Sequence, residues 1–230
     1  MGWLSSIKKA IKKVVRAVKT IIRVVVKIVI GVVMRIINTL GAWIPVDKKL
    51  RLQVFILRNE IGNEVDQVAD VEMAVNRAIA TFKQRFDVNI KAYGKPVVQV
   101  LKNPAPAAAL DVPCDGGAWL EEFGEMGEYF AANLAGWNAI PISLTFPVSV
   151  FIVRTIDGKI GCSIPIADYV VLSPAGVDSD TTLAHELAHT CLLMHRDDSK
   201  NLLFPNIPRG TDVTGWQRFV VRTSRHCTFW

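Results

Sequence analysis

The sequence predicts an α+β domain preceded by one long amphipathic helix, and three observations carry that reading. Residues 5–40 contain no proline, and Ile7, Ile11, Val14, Val18, Ile21, Val25, Ile28 and Val32 fall alternately four and three apart, the spacing of one helical seam. Gly41 to Pro45 then punctuates the chain at a change of charge: residues 1–46 hold nine Lys/Arg and no acid, and the rest holds eighteen basic against twenty-one acidic residues. Beyond that boundary, apolar strand-like runs are interleaved with helical periodicity, so residues 47–230 read as one mixed domain whose twisted sheet is packed by helices.

In the helix, Lys8, Lys12, Arg16, Lys19, Arg23 and Lys27 follow a second face. A transmembrane span over residues 21–44 would place Arg23, Lys27 and Arg35 in the bilayer at roughly 2.5–3.5 kcal/mol each. Three other destinations remain: an anionic membrane surface with the cations among headgroups, self-association through the seam, and packing on the rest of the chain. A cation every three to four residues disfavours a cleaved signal peptide, and the opening Met1-Gly2-Trp3-Leu4-Ser5-Ser6 satisfies the bare myristoylation pattern.

The elements of the body follow in order. Arg51–Leu57 reads as a strand. Glu64–Phe86 reads as a helix with Val68, Val71, Val75, Ile79 and Phe82 on one face, and strands follow at 88–93 and 97–101. Asn103–Pro113 reads as a Pro/Ala loop and 119–134 as a helix, together an insertion. Strands are expected at 148–156, 160–166 and 169–172, with a turn at Asp157-Gly158. Ser179 or Asp180 is placed to cap the next helix, and Thr214-Gly215-Trp216-Gln217 has the form of a capping box opening a last helix to about Arg225. Trp216, Phe219 and Val220 are expected in the core, and His226 on the surface.

Chemistry concentrates in Thr182–His195, T-L-A-H-E-L-A-H-T-C-L-L-M-H. His185 and His189 project from one helix face a turn apart, as two metal ligands require, and Glu186 stands where a carboxylate can act as general base without ligating. Three of the four histidines lie in this run. In an unbroken helix His195 would be rotated by about 80° and displaced by about 15 Å from His185, so a third ligand at His195 requires the helix to stop. No glutamate follows Glu186, which excludes a downstream glutamate ligand, while Asp197, Asp198 and Asp212 remain alternatives to His195.

These residues resemble the metzincin zinc peptidases, whose motif is H-E-x-x-H-x-x-G-x-x-H followed by a methionine-containing turn. The resemblance is strong over 182–205 and weak over 50–205. It implies Zn2+ held by His185, His189 and His195, Glu186 as the catalytic residue, and a zincin fold with a long helix, an active-site helix and a closing C-terminal helix. It also implies a protein or peptide substrate, lying along an edge strand at 161–164. Asn201-Leu202-Leu203-Phe204-Pro205 looks like the family's N-L-M-Y-P. Two departures stand out: Leu192 replaces the glycine of the turn, and Leu203 and Phe204 replace its methionine and tyrosine. Leucine suits the apolar floor; phenylalanine supplies no hydroxyl donor.

Cys114, Cys162, Cys191 and Cys227 contain no C-x-x-C pair, which argues against a cysteine zinc site; Cys114–Cys162 and Cys191–Cys227 are one possible disulfide pairing, and Cys114 as an inhibitory thiolate is another use. No nucleic-acid motif, phosphate loop or repeat is present. The expectation is a zinc endopeptidase, secreted or delivered to a target cell as a toxin or effector, with a secretion or injection apparatus as a possible partner. The alternatives are a cationic membrane-disrupting or pore-forming helix on a processing or docking body, and a structural zinc domain.

Overall fold

A computed structural model describes residues 2–41, 46–114, 124–135, 147–164 and 168–229. In chain order these form helix α1 (Gly2–Leu40), strand β1 (Lys48–Arg58), helix α2 (Val68–Thr81), strands β2 (Val88–Ala92) and β3 (Val98–Pro104), and the short helix α3 (Ala107–Leu110). Strand β4 (Asp111–Val112), helix α4 (Glu125–Asn133) and strands β5 (Val148–Ile152), β6 (Thr155–Ile156), β7 (Gly161–Ile164) and β8 (Tyr169–Leu172) follow. Helices α5 (Pro174–Asp178), α6 (Thr182–Thr190) and α7 (Gly215–Arg222) and strand β9 (Cys227–Thr228) complete the chain.

The main sheet is mostly parallel and is built around β1. Along one side β1 pairs with β2 and then β3, and along the other with β9 and then β5. The sheet continues through β8 and ends at β7, which runs antiparallel to β8 and forms the edge. Strand β1 is covered on both faces, which explains its near-continuous apolar run. Leu50, Leu52, Val54 and Ile56 face a core shared with α2, α6 and α7, whereas Phe55 and Leu57 face a second core with Phe130, Phe151 and Tyr169. The mixed sheet and packed helices expected from sequence are therefore present.

Several local expectations are corrected. The long helix begins at Val68 rather than Glu64 and finishes in a π-helical turn, Phe82–Phe86. Asn103–Pro113 is no simple loop: α3 buries Ala109 and Leu110, and β4 pairs with β6. The strand expected at 148–156 breaks after Ile152. Of the predicted helix 119–134, Glu125–Asn133 is observed and residues 119–123 lie outside the described set, as do 165–167 and most of the boundary, 42–45. Trp216 is 70% exposed and stacks on the half-exposed Phe219, leaving only Val220 of that trio in the core. His226 is fully buried, 3.5 Å from Asp168, which also pairs with Arg225.

The described side chains of helix α1 that meet the body lie near its C-terminal end. Met34 and Asn38 are buried; Asn38 Nδ2 donates to Ser224 O (2.8 Å), and Lys48 Nζ donates to Asn38 Oδ1 (3.2 Å). At Gly31 an added Cβ would lie 2.9 Å from Arg225 Cδ, so glycine permits this crossing. Upstream, Ile11, Val14, Val18, Ile21 and Val25 are exposed, and among the described residues packing on the chain's own body accounts for the last part of the helix. Among the described residues no helix is long and apolar enough to cross a membrane.

Candidate metal centre and cleft

Helix α6 lies between the core and a cleft. Leu183, Ala184, Leu187 and Ala188 are buried in the core shared with α2, which leaves His185, Glu186 and His189 for the opposite face. Neither expected cap holds the helix start: Thr181 is the N-cap residue without a side-chain bond, Ser179 Oγ accepts from Thr182 Oγ1 (2.7 Å), and Asp180 pairs with Arg77 (3.6 Å).

The helix stops where the third histidine requires it to. Leu192 has φ +70°, the left-handed conformation that ends many helices and that glycine adopts most cheaply. The leucine therefore keeps the turn and carries its strain, with its side chain half out in solvent. Comparison of Leu192→Gly with Leu192→Ala isolates that backbone term. The glycine variant should be more stable by about 1 kcal/mol, a Tm difference of roughly 2–4 °C in thermal unfolding. Equal stabilities would show that the turn is not strained.

Beyond the turn the chain brings His195 back. The ring centroids of His185, His189 and His195 lie 4.4, 4.6 and 5.4 Å apart, and one nitrogen of each falls within 4.8 Å of the others. His185 Nδ1 is 2.7 Å from Leu202 O and His189 Nδ1 is 2.7 Å from Leu193 O. A carbonyl only accepts, so each Nδ1 carries the proton and each Nε2 presents a lone pair. The two Nε2 atoms nevertheless approach to 3.0 Å, an arrangement of facing lone pairs that a shared cation satisfies. Burial lowers the pKa of His185 to about 3 and of His189 to about 4, and both are neutral, as ligands must be, near pH 7. The donor set thus fits a divalent metal of zinc type. Asp212 pairs with Arg85 (3.2 Å), Asp198 accepts from Lys200 N (3.0 Å), and no aspartate joins the three-histidine group among the described residues.

Glu186 is buried against the edge strand. An added Cβ at Gly161 would stand 3.0 Å from Glu186 Cγ and Oε1 and 2.8 Å from Thr182 Cγ2, so the missing side chain is what lets helix and strand close on this carboxylate. Burial raises Glu186 to about 7, opposed by the charges of Arg209 and Lys159 and by a hydrogen bond from the Ser163 side chain. A carboxylate poised there can both take and return a proton near neutrality.

The floor is tied to the last helix. Leu203 is fully buried in the core that also holds Leu187 and Ala188 of α6, and Asn201 Oδ1 accepts from Leu203 N (2.9 Å). Asn201 and Gln217 exchange two amide hydrogen bonds of 3.0 Å each, and Gln217 is also the third helical residue of the capping box on Thr214, which is present as expected. The Cys114–Cys162 disulfide joins the segment after β4 to β7 at the cleft wall, whereas Cys191 and Cys227 are buried, unbonded thiols in hydrogen-bond contact. The cleft encloses about 760 Å³ between the edge strand and the segment 205–209. The sequence places the edge strand 161–164 beside the substrate and Gln217 in a capping box, but it does not disclose that Gly161 and Ser163 hold Glu186, that Gln217 clamps Asn201, or that Arg209 lines the cleft.

Fold and site together define a mixed α/β protein with a three-histidine centre able to hold a metal ion. No family model and no curated protein matches the sequence. Among solved structures the chain is similar to metalloproteinase-II from Bacteroides fragilis, at 11% identity and a TM-score of 0.49. That alignment covers 80% of this chain and 60% of the other, so the chain spans less than two thirds of that protein.

Proposed function

We propose that the chain is a zinc-dependent endopeptidase of metzincin type. The observation that carries the reading is the convergence of three neutral imidazoles beside a buried carboxylate of raised pKa at the floor of an open cleft. His185, His189 and His195 would hold a Zn2+ ion, which when bound would supply Lewis acidity at the scissile carbonyl and lower the pKa of water there. Glu186 takes the proton of the attacking water and passes it to the departing amine, so that no free amide anion forms. Ser163, beside Glu186, orients the carboxylate, and the edge strand β7 aligns an extended peptide by main-chain pairing. Leu203, buried in the core shared with α6, takes the place of the family's methionine as an apolar residue, and Phe204 contributes no hydroxyl to the reaction.

Helix α1 supports a further part of this reading. Its exposed valines and isoleucines, in a segment rich in cations, fit an anionic membrane surface or a second copy of the helix, as in a toxin or effector secreted or delivered to a target cell.

One set of measurements on the full chain tests both parts. Mass spectrometry should find one zinc per chain, and cleavage of unfolded casein should stop on chelation and return with zinc. Sedimentation with anionic vesicles, and not with neutral ones, reports on α1. Metal-free protein, or cleavage indifferent to chelation, overturns the peptidase; equal partition to both vesicle types overturns the membrane role. Dye release by protein lacking cleavage would favour a membrane-disrupting helix.

A further inference from the structure

Two cations line the cleft, and they are not equivalent. Lys159 Nζ is engaged, donating to Cys114 O at 2.6 Å with the Cys114 sulfur at 3.6 Å. Arg209 is not: its Nε and Nη1 are buried and have no hydrogen-bond partner. Buried guanidinium donors are nearly always satisfied, so two idle ones on a residue that lines the cleft point to an acceptor from outside the chain, reached by a small turn of the side chain. Glu186 does not fill that role, since Arg209 reaches it only through space while Ser163 supplies its hydrogen bond. The backbone beside the arginine is also held in place. Arg209 precedes Gly210, where any Cβ would strike Lys200 O and where the backbone N–H donates to Ser199 O (2.8 Å). A planar guanidinium fork matches a carboxylate in two-pronged geometry, which a lysine does not.

We infer that Arg209 selects a substrate carboxylate next to the bond being cleaved. This rests on the peptidase reading above. The carboxylate comes either from an acidic side chain flanking the scissile bond or from the free C-terminus of a short peptide. The shared chemistry is an anion in the cleft, and the two sources separate experimentally.

The test is fluorescence anisotropy on zinc-loaded, full-length Glu186→Gln protein, which binds without turnover, with three dye-labelled peptides of one parent sequence. The first has glutamates on both sides of the central residue and an amidated C-terminus, the second has glutamines there with the same amide, and the third has glutamines and a free C-terminal carboxylate. One anionic peptide should bind about tenfold or more tightly than the neutral one, the effect of a charge-assisted hydrogen bond. A preference for the first names a side chain as the source, and for the third a chain terminus. Adding Arg209→Gln should bring the ratio close to one, and Arg209→Lys should keep part of it. Equal binding of all three peptides overturns the inference whether or not the Arg209 variants fold. So does a preference that survives Arg209→Gln or disappears in Lys159→Gln instead. Failure of the peptidase reading appears separately, as wild-type protein that cleaves none of the peptides while the anisotropy still ranks them.

Discussion

Replacing Glu186 by glutamine is expected to remove turnover by about 10²–10⁴-fold while leaving one metal per chain. The amide has the shape of the carboxylate and can keep the Ser163 contact and the packing over Gly161, but it cannot take a proton from water. Its effect on folding should have the opposite sign. Burial raises the folded-state pKa of Glu186 to about 7, above its usual value, so the stability associated with the protonated form is complete in acid and is lost as pH rises through 7. Without metal, the glutamine variant should therefore be more stable than wild type at pH 8 by an amount on the order of a few kcal/mol, and no more stable near pH 4. Calorimetry at the two pH values, beside zinc analysis and peptide cleavage, checks all three outcomes. Retained turnover would remove Glu186 from the chemistry.

The His195→Ala variant should lose both metal and cleavage. Even the outer hydrogen-bond partners of metal ligands are worth about 10–100-fold in metal affinity, and a ligand itself is worth at least that. His195 is the most exposed of the three, so truncating it should spare the core. Asp197→Asn, Asp198→Asn and Asp212→Asn serve as controls that should retain the metal. If one of these empties the site while His195→Ala does not, the third ligand is an aspartate.

The contrast between what the chain discloses and what it hides follows from range. His185, Glu186, His189 and His195 lie within one helix and its exit, where 3.6-residue geometry and one required turn place them. The strain at Leu192 was legible for the same reason. The edge strand 161–164 is expected beside the substrate, but the contact of Gly161 and Ser163 with Glu186 is not, and Arg209 reaches the cleft from a distant loop that no local pattern marks. Gly161 stands in an ordinary apolar run, and its role appears only when Glu186 lies against it. The exposed Trp216 and Phe219 misled because apolar periodicity cannot distinguish a ring turned inward from one stacked on its neighbour. His226 misled in the opposite direction, since only the fold buries it beside Asp168. The short elements at 107–112 depend on pairing with β6, far along the sequence.

The amide pair of Asn201 and Gln217 has a thermodynamic meaning beyond geometry. The segment that gives His185 its carbonyl partner at Leu202 is clamped by Leu202 N to Asp212 O (2.9 Å) and by Asn201 to the first turn of the last helix. Ordering residues 196–217 and aligning His185 are thus one event. The free energy gained by filling the three-histidine site is free energy that anchors the C-terminal part of the chain, and looseness in that part is paid back as a weaker grip on the ion.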